Sequence, residues 1–333
     1  MTAPNPESLK LVKDHGRPAV AFAVARIPGT GRVFLGSSDF KVTEGDLAAA
    51  KFEPTELYAH GSYVTTLALA GTALVSGGYD GKLVWWDTEK KKELRRLDAH
   101  AKWIRQVTVS PDGKLVASVA DDMVCKLWDA ASGKLVRELR GHAEKTPHHF
   151  SSMLYAVAFS PDGKHLATAD KTAKVVVWDV ASGKQLKTVE APVMYTWDPV
   201  QRLHSIGGAR SLAFSPDGAH LAVGGTGKIG NIDHLEANGR VEVFDWRAEK
   251  RVAELVLDKS KGLVNKLAYA PDGAWLLAVG GAGEGFVAFL DVAGKKVLKQ
   301  EKVAMHVHDI SVTPTFDSLV LAGHNKVATY KMG

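Results

Sequence analysis

Apolar and polar positions alternate along this chain in short runs, and the runs come in sets. Residues 104 to 129 contain one set: Ile104 to Ser110 reads as a strand, Pro111-Asp112-Gly113 as a turn, Leu115 to Ala120 as a second strand and Val124 to Trp128 as a third. Ala131-Ser132-Gly133-Lys134 then turns the chain into a fourth strand, Leu135 to Leu139. Each set therefore predicts a four-stranded antiparallel meander. A histidine precedes the set and Trp-Asp ends its third strand, pairing His60 with Trp86-Asp87, His100 with Trp128-Asp129 and His142 with Trp178-Asp179.

The histidines recur about every 40 residues, a period typical of propeller blades. Aligning on the Pro-Asp-Gly turn adds a unit with Phe214, Asp217-Gly218 and Phe244-Asp245, and another with Tyr269, Asp272-Gly273 and Leu290-Asp291. Two degenerate units, His15 to about Asp46 and Val307 to Met332, bring the number to seven. The last unit supplies three strands, while Leu9 to Val12 stands ahead of His15 where other units have a fourth. The pattern thus predicts an all-β, seven-bladed β-propeller of four-stranded antiparallel blades. Residues 1–333 form a single domain in this reading, with the ring closed by the N-terminal strand, which also hides sheet edges that would otherwise template aggregation.

These residues resemble the WD-repeat (WD40) propeller family, and the Ser-Pro-Asp-Gly-Lys style is similar to that of its bacterial members. The resemblance covers essentially the whole chain. It implies that a His, a Ser or Thr, a turn Asp and the Trp of each blade form a hydrogen-bonded set. The matching positions are His60, Ser76, Asp80 and Trp86, then His100, Ser118, Asp122 and Trp128. In the fourth unit His142, Thr168 and Trp178 fit, but Thr172 stands where the turn Asp belongs.

Against that frame, candidate chemistry is sparse. The repeating histidines are accounted for by blade structure; His148, His149, His204 and His234 fall outside the repeat but lack the spacing of a metal site, so neither metal nor cofactor is expected. Gly224 to Lys228 and Gly280 to Gly285 lack Walker spacing and join strand to strand, which makes them turns and not phosphate cradles. No pattern pairs a nucleophile with a base, so no catalytic residue is assigned.

Departures from the repeat carry more information. The connections around Thr146 to Phe150, about Ala191 to Gly208 and about Gly225 to Gly239 are lengthened, and antiparallel alternation puts all three on one face as a crown. The second carries Met194, Tyr195, Trp197 and His204. At the channel mouth on that face, the position three residues after each framework His, extended by alignment to the units where the spacing differs, reads Pro18, Tyr63, Trp103, Met153, Gly208, Leu263 and His306. Two residues later come Val20, Thr65, Arg105, Tyr155, Arg210, Asn265 and His308. Aromatics with Arg are the residue types of interface hot spots, and in WD-repeat relatives this mouth is a frequent docking site. The expected partner-binding residues are Tyr63, Trp103, Arg105, Met153, Tyr155, Tyr195, Trp197, Arg210, His306 and His308.

Charge and composition change this picture little. A net charge of +5 is mildly basic, and the turn lysines Lys90 to Lys92, Lys134, Lys184, Lys250 and Lys295-Lys296 share the opposite face with Asp112, Asp162, Asp217 and Asp272. Interleaved signs argue for a solvated surface over a nucleic-acid platform. Cys125 sits in an apolar strand as a structural thiol, and no run is apolar for long enough to cross a bilayer. The function expected is a cytoplasmic, non-enzymatic scaffold for a protein or peptide, monomeric or within a hetero-complex. The alternative is a small-ligand- or metal-binding, even catalytic, propeller with the loops of the fourth and fifth blades as a lid.

Overall fold

In a computed structural model, which describes residues 2–200, 202–230, 232 and 237–333, the chain forms seven four-stranded antiparallel sheets and one additional hairpin. Blade 1 runs Ala21–Arg26, Arg32–Ser37, Lys41–Asp46, Thr55–Ala59; blade 2 Val64–Ala70, Ala73–Gly78, Lys82–Asp87, Lys92–Asp98; blade 3 Ile104–Val109, Leu115–Ala120, Cys125–Asp129, Leu135–Leu139. Blade 4 runs Leu154–Phe159, His165–Asp170, Lys174–Asp179, Gln185–Glu190; blade 5 Ser211–Phe214, His220–Thr226, Asn238–Asp245, Lys250–Lys261; blade 6 Leu263–Tyr269, Leu276–Gly281, Gly285–Asp291, Lys296–Val303. Blade 7 joins Val307–Val312, Ser318–Gly323 and Lys326–Lys331 to the N-terminal strand Lys10–Gly16, so the ring closes as the sequence predicts. The first strands of successive blades touch in order around the ring, blade 7 against blade 1 included.

The repeat motif is legible as hydrogen bonding. In Ser-Pro-Asp-Gly, the Ser110 hydroxyl donates to Asp112 Oδ1 at 2.6 Å and accepts from the Leu115 amide at 2.9 Å. Gly113 then turns the chain at φ 73°, a conformation that costs a side chain energy and glycine little. The Asp of Trp-Asp caps the next turn: Asp129 Oδ1 accepts from the amide and hydroxyl of Ser132 at 2.7 and 2.6 Å. Second and third strands are buried on both faces because blade packs on blade, and Val33-Phe34-Leu35 and Leu83-Val84-Trp85 are fully enclosed. Cys125 lies in that core, where burial pushes its thiol up, away from the reactive thiolate.

The hydrogen-bonded sets hold, with two corrections. In blade 3, His100 Nδ1 donates to Asp122 at 3.0 Å, its Nε2 accepts from the Ser118 hydroxyl at 2.7 Å, and Trp128 Nε1 donates to that hydroxyl at 2.9 Å. In blade 2 His60, Asp80 and Ser76 meet likewise, but Trp86 Nε1 has no partner: the Tyr58 ring stacks on Trp86 and its hydroxyl donates to Ser76 at 3.0 Å instead. In blade 4 the missing turn Asp is replaced from the strand, since Asp170 accepts from His142 Nδ1 at 2.8 Å while Thr168 serves both His142 and Trp178. Burial alone would raise the carboxyls of Asp80 and Asp122, but the hydrogen bonds from His60 and His100 and from nearby amides outweigh it and hold both below the usual range.

His15 departs from the expected register. It lies within the N-terminal strand opposite Val327 and stacks on Phe52, so Arg17 occupies the place of a framework His and donates to Ser37 Oγ at 2.9 Å.

Candidate interaction face and channel mouth

Six of the seven first strands carry a register shift near their start, between Ala21 and Ala23, Val64 and Thr66, Ile104 and Gln106, Leu154 and Ala156, Val264 and Lys266, and Val307 and Asp309. A bulge withdraws one residue from the ladder and re-aims its side chain. The residues released are Phe22, Thr65, Arg105, Tyr155, Asn265 and His308, and Arg210 stands just ahead of the corresponding strand in blade 5. The row read from sequence as the channel mouth is therefore the row of bulges, with one correction. In blade 1 it contains Phe22 and not Val20, because counting from His15 began two residues early.

The bulge residues meet across blades. Arg105 donates to both oxygens of Asp121, Nε at 2.7 Å and Nη2 at 2.6 Å, and its Nη1 donates to the Tyr79 hydroxyl at 2.7 Å. Its guanidinium carbon also lies 5.5 Å from the centre of the Tyr155 ring, which Arg210 covers at 3.5 Å. Trp103 stacks on Tyr79 at 4.3 Å with the rings 7° apart, yet remains 48% exposed. Met153 sulfur receives the Tyr155 hydroxyl at 3.0 Å. Of the predicted set, Tyr63, Trp103, Arg105, Met153, Tyr155 and Arg210 thus form a continuous neighbourhood, Tyr63 joining through Tyr79.

Positive charge accumulates there. Lys171 is buried, and burial followed by repulsion from Arg210 lowers its pKa. Arg210 Nε is buried without a hydrogen-bond partner. Asp121 opposes these cations, and both of its oxygens are already engaged by Arg105.

The three insertions pack on one another. Tyr195 hydroxyl donates to Thr146 Oγ1 at 2.9 Å, His148 lies flat on Trp197 at 3.7 Å, and the Ile229 amide donates to Thr196 Oγ1 at 3.0 Å. The second insertion, read from sequence as a loop, contains the additional hairpin, Tyr195–Asp198 with Trp197 opposite Ser205 and His204 opposite Asp198. Met194 anchors it in the core, while Trp197 stays 40% exposed.

His148 packs within the crown, and among the described residues His148, His149 and His204 form no metal-sized group; His234 lies outside the described residues. Among the described residues, histidines converge elsewhere. His306 and His308, expected at the mouth, are joined by His324, and one ring nitrogen of each lies within 4.8 Å of the others. Burial, reinforced by neighbouring imidazoles, lowers His306 to about 4 and His308 to about 3. Sequence spacing did not single out His324. The available signal was a first-strand His, the loop His before it and a His in the turn after the second strand, three places that propeller topology brings to one face.

The opposite face has the predicted mixture of signs. A groove between blades 5 and 6 is lined by Asp217, Asp245, Lys250, Asp272 and Lys295 from the turns.

Comparison with known proteins agrees with this architecture. The family described as WD domain, G-beta repeat matches residues 52–87, 91–129, 133–179 and 197–230. Similar proteins include p21-activated protein kinase-interacting protein 1-like of Danio rerio, 31% identical over 34% of this chain and 31% of its own length. WD repeat-containing protein SL1-17 of Schistosoma mansoni is 32% identical over 39% of this chain and 44% of its own, and small ribosomal subunit protein RACK1y of Oryza sativa subsp. japonica is 31% identical over 39% and 38%. The chain thus spans less than half the length of each of these relatives. The family model covers just under half of this chain, which is similar to WD40-repeat proteins over those segments, and the same four-stranded unit recurs around the rest of the ring.

Proposed function

We propose that the chain is a non-enzymatic interaction scaffold that holds a protein or peptide on its insertion-bearing face. A carboxylate or other anion of the partner enters the mouth above blades 3 to 5. The observation that carries this reading is the unbalanced charge there: Arg105, Lys171 and Arg210 face Asp121, and the buried Arg210 Nε has no partner. An anion would satisfy that donor with a charge-assisted bond. Tyr63 and Trp103 beside it, 40% and 48% exposed, supply apolar area of the kind that anchors interfaces. The name of the kinase-interacting relative supports a protein as the partner class. The Ser-Pro-Asp-Gly-Lys style suggests a bacterial cytoplasm as the setting, although the relatives named above are eukaryotic.

The experiment is affinity capture from the source cells, with quantitative mass spectrometry, using the wild-type chain, Arg210→Ala and a Lys134→Ala/Lys184→Ala double variant as baits. Proteins retained by the wild type and the lysine variant but lost with Arg210→Ala support the reading. Retention that depends on the lysines and ignores Arg210 overturns it.

A further inference from the structure

We propose that His306, His308 and His324 form a binding site for an imidazole-preferring divalent transition metal, Zn2+ in the first instance. The site is separate from the Arg105–Arg210 patch and does not depend on it. Its ring centres lie 4.5, 4.9 and 5.0 Å apart, and each ring offers a nitrogen within 4.8 Å of the other two. Zinc–imidazole bonds of about 2.0–2.1 Å in tetrahedral geometry need nitrogens about 3.4 Å apart, so a movement of roughly 1 Å completes the set. The exposed His324 ring has the freedom to make that movement.

The backbone holds the three together. The His324 amide donates to the His306 carbonyl at 3.0 Å, and Gly323 permits this approach because a Cβ there would collide with that carbonyl. The blade 7 bulge releases His308 from the ladder, with Phe22 edge-on at 5.0 Å as an apolar wall. His308 Nε2 is buried and has no hydrogen-bond partner, an arrangement that a metal bond would relieve. His306 is 9% exposed; the Asn265 amide donates to its Nε2 at 3.0 Å and to the Val307 carbonyl at 2.8 Å, so metal binding through Nε2 exchanges the first of these bonds.

The donor set decides the class of ion. Three imidazoles without a carboxylate suit Zn2+, Ni2+ or Cu2+ and disfavour Mg2+ and Ca2+, which require oxygen ligands. The exposed side at His324 leaves room for water or a partner's side chain as a fourth ligand.

The test uses the full chain without a histidine tag, stripped with chelator. Calorimetric titration with Zn2+ should show one equivalent bound, and Co2+ should give the visible absorption of a low-symmetry, nitrogen-ligated site. His324→Ala, at an exposed turn, should lower affinity at least tenfold with the melting temperature of the metal-free protein unchanged, and His308→Gln should do the same. His149→Ala should bind like the wild type. Absence of binding at ~100 µM Zn2+, or one-equivalent binding that survives both His324→Ala and His308→Gln, overturns the site.

Discussion

The guanidinium of Arg210 lies over the Tyr155 ring, its carbon 3.5 Å from the ring centre, so the blade 4 bulge and the residue just ahead of the first strand of blade 5 form one surface. Such a pair is ordered before any partner arrives, which reduces the entropy lost on docking. Arg210→Ala and Trp103→Ala should each weaken the complex by about 1–4 kcal/mol, measured by calorimetry with the captured partner. Lys134→Ala and Lys184→Ala should leave the affinity within experimental error.

The polar sets of blades 2 and 3 differ in how the tryptophan is used, and stability should record it. Trp128→Phe removes a buried donor from Ser118, whereas Trp86 Nε1 has no partner to lose. Trp128→Phe should therefore cost about 1 kcal/mol more than Trp86→Phe. Ser118→Ala, which orphans both His100 Nε2 and Trp128 Nε1, should cost about 2–3 kcal/mol. Urea denaturation of the four proteins checks this order; equal effects of the two tryptophan changes would refute it.

Acid should attack the same sets. Asp80 and Asp122 are held below their ordinary values in the fold, so the unfolded chain takes up their protons first as pH falls. Their contribution is complete above the unfolded carboxyl value of about 3.9 and is lost as pH drops through the lower folded values. Denaturation midpoints should fall below about pH 4, and Asp122→Asn, less stable at neutral pH, should show a shallower decline.

Closure of the ring gives the fourth prediction. Leu9 is buried against blades 6 and 7, the Trp275 indole donates to the Pro4 carbonyl at 3.2 Å, and Lys10–Gly16 covers the edge of Lys326–Lys331. Deleting residues 2–16 exposes that edge and the adjoining core. Calorimetry should show a melting temperature lower by about 5 °C or more, with reduced solubility; an unchanged transition would contradict the closure.

Periodicity and turn chemistry made the blades legible, because Ser-Pro-Asp-Gly and Trp-Asp carry their own hydrogen bonds wherever they occur. The polar sets were legible only where spacing was regular. Asp170 replaced the missing turn Asp from a neighbouring position, and Tyr58 displaced Trp86 from Ser76, substitutions that depend on side-chain reach and leave no trace in spacing. The bulge row was readable in five of the six blades that carry it and misplaced by two residues in blade 1, where His15 belongs to a strand and cannot mark the register. His324 escaped because a whole strand separates it from His308 in sequence while the fold places their rings side by side.

The bulges separate what the ring must conserve from what it is free to vary. A residue taken out of the ladder does not pair with the next strand of its own blade, so the ladder does not dictate its chemistry, even where, as at Thr65 and Asn265, it donates to a carbonyl of the following blade at 2.7 and 2.8 Å. That is why Phe22, Thr65, Arg105, Tyr155, Asn265 and His308 differ in size, charge and polarity while the strands behind them remain valine, leucine and alanine. Each blade thus adds one side chain of its own character to a common row, and the chemistry of that row can change from blade to blade while the ladders behind it stay the same.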